Sequence, residues 1–232
     1  MRDPWSQNHN YGYSNIRKWF DSRLEVKTLE SASAIVTLSE PWADAMSKLH
    51  NRKVEVITDG FDPDEVNEPP APLTKDFTIT YIGHVYENKQ KLSYLTDALD
   101  NLGIKANVRI YQGHGRQAVI KKQRESQLLL LMDWEDNKGV YTTKVIEYLA
   151  ARRPILATGG MAGSVVGKLL DHTVAGLHGY DKVRLEAILK YYHRMFLAHG
   201  FVPYSGDIKK VNEYTQVNTA AMVSNLLKRC VR

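Results

Sequence analysis

Cysteine is nearly absent from this sequence. A single thiol, Cys230, stands in 232 residues. That excludes a disulfide framework within the chain and a cysteine-rich metal centre, and it fits a reducing compartment. Long apolar runs are missing too. No stretch approaches the roughly 18 consecutive apolar residues of a membrane-spanning helix, and the polar opening MRDPWSQNHN is not expected to act as a signal peptide. Neither G-x-G-x-x-G nor G-x-x-x-x-G-K-[ST] occurs, so dinucleotide-fold and P-loop readings lack their main sign. The eight histidines are scattered without metal spacing; His84 and His114, at predicted strand ends, read as structural or solvent-exposed. No repeat or low-complexity segment is found. Neither sign of charge dominates: a net charge of +5 leans toward anionic partners, and an ordinary solvated basic surface accounts for it equally well.

What is present is a globular composition, 43% hydrophobic and 25% charged, sufficient for a sizeable core. A helical periodicity over about 14–33 has Ile16, Trp19, Phe20, Val26 and Leu29 as its expected apolar face. A short strand at 34–38 leads through Ser39 and Pro41, a helix-start pair, to a helix carrying Trp42, Ala45, Met46 and Leu49. A strand at 53–57 ends in Thr58-Asp59-Gly60, a turn signal. Three prolines at 69, 70 and 72 then remove backbone donors and mark a linker. Beyond them strands at 77–82, 107–111, 128–132 and 155–158 alternate with helices near 89–102, 116–124, 142–152, 163–171 and 182–199. Parallel strands need crossovers, so this alternation predicts an α/β fold with a Rossmann-like parallel sheet. A last amphipathic helix is expected over about 215–231, with Val217, Ala220, Ala221, Val223, Leu226 and Leu227 apolar.

Ligands of open α/β sheets sit beyond the carboxyl ends of the strands. Gly83, Gly113 and Gly159-Gly160 fall there, where glycine admits close approach to the backbone or simply suits the turn. The stretch GVYTTKVIEYLAARRPILATGG, 139–160, is the most informative. Thr142 or Thr143 is expected to cap its helix, and free first-turn amides favour phosphate. Lys144 and Glu147 lie one turn apart on the polar face. Two readings fit them: a surface pair contributing ~0.2–0.5 kcal/mol, or an ammonium on a diphosphate with a carboxylate on a ribose. Asp133, Glu135 and Asp136, interrupted by Trp134, read as a solvated loop rather than a metal site.

The stretch YTTKVIEYLAARRPILATGG resembles the nucleotide-binding segment of the retaining glycosyltransferases of the GT-B fold, in particular glycosyltransferase family 4 (group 1). The similarity extends in order through SASAIVTLSE, VEVITDGFD, FTITYIGHVYENK, the late glycine loop HTVAGLHGYD and the tail helix, and Arg2-Asp3-Pro4-Trp5 is similar to a mid-chain segment of such enzymes. The resemblance implies that Glu147 is the second Glu of the family's E-x7-E motif and holds the donor ribose. Gly139 stands where the first, sugar-binding Glu would be. The family's diphosphate Arg and Lys fall near His84 and Lys89, with Lys91 an alternative to Lys89 and Lys144 placed to compensate. The implied donor set is therefore Glu147, Lys144, Thr143, Thr142, Gly83, His84, Lys89 and Gly139, with no catalytic residue assigned and no metal or obligatory cofactor.

The implied organisation is a remnant of an acceptor-side N-terminal domain at 1–68, a linker at 69–76, a nucleotide-sugar-binding domain at 77–204 and a cross-back helical segment at 205–232. The expected activity is transfer of a hexose from a nucleotide diphosphate sugar, with retention, to a glycan or lipid-linked acceptor. The chain is expected to be truncated or half of a split enzyme, inactive alone, cytoplasmic or peripheral at the inner membrane face, and without a nucleic-acid partner. A nucleotide-sugar epimerase of the same architecture and a non-catalytic nucleotide-binding or scaffold module are the alternatives.

Overall fold

The computed structural model describes residues 4–8, 12–67, 71–86, 90–135 and 139–231. In order, its elements are α1 (Asn15–Leu29), β1 (Ile35–Thr37), α2 (Glu40–His50), β2 (Val54–Val56), a 3-10 turn (Pro63–Asn67), β3 (Thr78–Ile82), α3 (Ser93–Leu102), β4 (Asn107–Tyr111), α4 (Arg116–Arg124) and β5 (Leu128–Asp133). They continue with α5 (Thr143–Ala151), β6 (Ile155–Gly159), α6 (Val165–Thr173), β7 (Gly176–Gly179), α7 (Lys182–His199), α8 (Ile208–Asn212) and α9 (Gln216–Cys230). Two compact units result, one of residues 1–60 with 216–232 and one of residues 61–215.

The larger unit carries the fold. Its five strands run parallel in the order β4-β3-β5-β6-β7. The α/β class and Rossmann-like sheet expected from the alternation are present. Strand β5 is buried along its whole length, and successive side chains serve opposite layers. Leu129 and Leu131 join Val145, Leu149, Val166 and Leu170 beneath α5 and α6, whereas Leu128, Leu130 and Met132 join Leu95, Leu99, Leu185 and Leu189 beneath α3 and α7. Burying one such leucine stabilises by about 1.5–3 kcal/mol.

Several expectations are corrected. The late glycine loop contains a strand, β7: Gly176 has no room for a side chain against the Ile155 carbonyl, so it lies flush along β6. The helix anticipated from 89 begins at Ser93, and Lys89 lies outside the described residues. Helix α6 closes on Val174, a β-branched residue at φ +53, in the left-handed region such side chains avoid.

In the smaller unit, β1 and β2 pair in parallel around a core of Ile35, Ala43, Met46 and Val54. Here α1 departs most from expectation. Of its expected apolar face, Ile16, Trp19 and Phe20 are exposed, Val26 and Leu29 are partly buried with Leu29 against the small core, and its one fully buried residue is Glu25. Glu25 accepts the Ser6 amide at 2.8 Å and meets His50 at 3.2 Å, so polar bonds join the packing of Leu29 in seating the helix. Of the apolar positions expected in α9, Leu226 is buried and Val217, Val223 and Leu227 are exposed. Among the described residues no helix is long and apolar enough to cross a membrane.

Candidate functional site

The sheet order fixes where a ligand would sit. The chain moves from β3 to β4 on one side and returns to β5 on the other, so the β3–β5 border is the topological switch point. Tyr81 and Ile82 end β3 there, followed by Gly83 at φ +126. The loop after Gly83 is tied down by Gln90, a residue not singled out from the sequence. Its amide donates to the Met132 carbonyl of β5 at 2.9 Å, and its oxygen accepts from the Tyr86 amide at 3.2 Å and the Tyr81 hydroxyl at 3.3 Å. Tyr81 also donates to the His84 carbonyl at 2.8 Å, and burial pushes its hydroxyl up to about 12.

Helix α5 enters from across the border. Its N-cap by position is Thr142, but the hydroxyl makes no capping bond; it is buried without a hydrogen-bond partner. The expected cap is therefore corrected, and Thr143 next to it is exposed. Lys144 turns back over Gly83: its Nζ donates to the Ile82 carbonyl at 2.6 Å and lies 4.6 Å from the centre of the Tyr81 ring. A side chain on Gly83 would collide with that amine, so glycine is what leaves the berth open. Burial pushes the Lys144 ammonium below the ordinary lysine range, with Glu147 opposing. Tyr148 on the same helix is fully buried and accepts the Ile82 amide at 3.1 Å, locking α5 to β3.

The anticipated Lys144–Glu147 surface pair does not form its own bond. Glu147 instead accepts from Arg116 Nη1 of α4 at 2.9 Å, and Arg116 also grips Glu65 of the 3-10 turn through Nε, at 2.9 Å, and Nη2. Glu65 first, then Glu147, raises the Arg116 guanidinium above its usual range. Neither Arg116 nor Glu65 was picked out from the sequence. They lie 31 and 82 positions from Glu147, and no local pattern joins them.

The other expected residues scatter along the rim. His84 is exposed, edge-on to Tyr86 with ring centres 5.0 Å apart, and His114 is exposed beside Tyr111. Gly139 is buried. Lys91 points to Glu135 at 3.1 Å. Asp133 is not solvated, as its loop reading implied, but 4% exposed. It accepts from Ser164, the N-cap of α6, at 2.8 Å, and His178 lies 3.6 Å away. Burial raises its carboxyl, opposed first by the Ser164 bond. Asp136 lies outside the described residues. Among the described residues no group of three or more His, Cys, Asp and Glu is placed to hold a metal ion.

Neither a protein-family model nor a curated protein sequence matches the chain. Its fold is matched among solved structures. HepE from Anabaena in complex with UDP superposes with a TM-score of 0.62 at 12% identity, over 90% of this chain and 68% of that one. Sucrose-phosphate synthase from Thermosynechococcus elongatus gives 0.65 at 11% identity, over 95% and 64%. A point mutant of TarM from S. aureus, in complex with Fondaparinux, alpha-GlcNAc-glycerol and UDP, gives 0.59 at 10%, over 93% and 48%. The chain thus shares the fold of these solved structures, its five-stranded parallel sheet matching one half of the GT-B architecture, and it spans from about half to about two thirds of their length.

Proposed function

We propose that the chain binds the diphosphate and ribose of a nucleotide diphosphate sugar and forms the donor-side part of a retaining glycosyltransferase. The observation that carries this reading is the Lys144 ammonium, held against a side-chain-free Gly83 at the switch point and in the first turn of α5. A diphosphate there would meet a half-buried cation and the positive end of the α5 dipole together, the preorganised electrostatics that stabilise a leaving anion. Glu147, one turn further, is the ribose acceptor; Thr142, Thr143, His84, Lys89 and Gly139 complete the proposed surroundings. The UDP bound to HepE and TarM makes uridine the first base to try. In this reading 1–68 belongs to an acceptor-side domain, 77–204 is the donor domain, and the whole enzyme transfers hexose to a glycan or lipid-linked acceptor in the cytoplasm or at the inner membrane face.

The test is a thermal-shift panel of uridine, guanosine, adenosine and thymidine diphosphates. A ligand at 100 times its dissociation constant adds ~2.7 kcal/mol. One base should stand out, and Glu147→Ala should remove the shift; a flat panel overturns the reading. One observation favours a non-catalytic module instead: Glu147 is already satisfied by Arg116. If Arg116→Ala leaves nucleotide affinity unchanged and Glu147→Ala only lowers stability, that module is the better description.

A further inference from the structure

The outward side of α1 belongs to no core. Every residue from Ser14 to Phe20 is exposed, and of this helix Leu29 packs against the small core. Residues of an α-helix advance by about 100°, which places Trp19, Arg23, Ile16, Lys27, Phe20 and Leu24, in that order, across one arc of about 140°. The buried Glu25 lies opposite. The four apolar members are half or more exposed, and Arg23 and Lys27 stand between them, exposed too. Arg23 lies over the Trp19 ring, 4.3 Å from its centre. Within α1 the arc holds no carboxylate. Asp21, off its edge, meets Arg17 at 3.6 Å, and Glu30, the C-cap, offsets one cation at the far end. With Lys18 also exposed, the outward surface of α1 stays cationic.

This mixture selects the partner. A second copy docked on the arc would set Arg23 and Lys27 against its own cations, and a wholly apolar protein face would bury them unpaired. Because Glu25 seats the opposite side on Ser6 and His50, α1 offers one face to a flat surface rather than a whole helix to an enclosing groove. The partner must be flat, apolar within and anionic at its boundary. A bilayer with anionic headgroups is all three: it takes Trp and Phe at the headgroup level, and the long stems of Arg and Lys reach back to phosphate. We propose that α1 lies along an anionic bilayer surface, with Ile16, Trp19, Phe20 and Leu24 entering the acyl boundary and Arg23 and Lys27 on lipid phosphates. The inference rests on the location at the inner membrane face read above and on none of the nucleotide contacts.

Vesicle co-sedimentation of the full chain tests it, using phosphatidylcholine alone and phosphatidylcholine mixed equally with phosphatidylglycerol. Phe20→Ser and Lys27→Glu alter exposed side chains, and circular dichroism verifies that both variants fold. Binding to the mixed vesicles is expected to exceed binding to the neutral ones, to weaken with added salt, and to fall about tenfold in Lys27→Glu. Phe20→Ser should weaken it as well. Lipids brominated on the acyl chains should quench part of the tryptophan emission, and Trp19→Phe should remove that part. Phe20→Ser should leave the nucleotide-dependent thermal shift unchanged; a flat nucleotide panel with vesicle binding intact would count against the nucleotide reading alone. Four results overturn the proposal: no binding to mixed vesicles, binding that survives both substitutions, quenching that Trp19→Phe leaves intact, or a dimer that Phe20→Ser dissociates.

Discussion

Lys144 sets the sharpest terms at the scale of a single residue. Its ammonium is half-buried, has one carbonyl as hydrogen-bond acceptor and sits over an aromatic ring. Burial lowers its folded value below that of an unfolded lysine, so the folded state binds protons less tightly than the unfolded one. Charge there costs stability at neutral pH, and the cost is relieved as pH rises from the lowered value to the ordinary lysine value. Lys144→Met should therefore melt no lower than the parent near pH 7 while losing its nucleotide-dependent shift. In the parent, diphosphate affinity should weaken with rising pH before ordinary lysines titrate; titration calorimetry across the alkaline range checks this. Asp133 makes the complementary case. Its carboxyl is raised by burial, so the stability cost of its charge appears as pH climbs through the folded value and is absent below the unfolded one. Asp133→Asn should keep a partner for Ser164 and leave neutral-pH stability level or improved. Asp133→Ala strands that buried hydroxyl and should cost about 1–3 kcal/mol by chemical denaturation.

Elements show what could be read in advance and what could not. The run Leu128–Met132 betrays a strand buried on both faces because each side chain has an apolar layer to enter. The β7 sequence GLHG offers no such signal; its glycines are dictated by clearance against Ile155 and Leu185, which only the folded sheet reveals. In α1 Ile16, Trp19 and Phe20 face outward while Glu25, one turn from Leu29, is the fully buried residue, and no propensity anticipates a buried carboxylate. At the candidate site Lys144, Glu147 and Gly83 were visible as rim residues on one local segment or strand end. Arg116 and Gln90 act through partners 31 and 42 positions away and were not. The end of α6 provides a test at this scale. Val174 holds a left-handed φ of +53, a conformation costing a β-branched residue roughly 1–2 kcal/mol. Val174→Gly should relieve it and raise the melting temperature, whereas Ser164→Ala at the other end removes a cap and should cost about 0.5–2 kcal/mol.

The molecule as a whole comprises two units with unequal cores. Two large apolar layers sandwich the five-stranded sheet, while the smaller unit has Ile35, Ala43, Met46 and Val54 and leaves much of α1 and α9 exposed. Local opening should start where the least apolar surface is buried. Trp5, Trp19 and Trp42 report on the smaller unit and Trp134 on the larger. In denaturant, fluorescence of a Trp134→Phe variant should therefore change before the circular dichroism of the parallel sheet; coincident transitions would show instead a single cooperative whole. The Arg116 bridge has a consequence of another kind. Glu65 and Glu147 share one guanidinium, so any ligand that draws Glu147 away from Arg116 must also change how firmly Arg116 holds the Glu65 turn. Thermodynamic reciprocity makes the effect mutual: whatever steadies or loosens that turn alters ligand affinity by the same factor. A short 3-10 turn with no proposed ligand contact of its own would then act as a dial on the site.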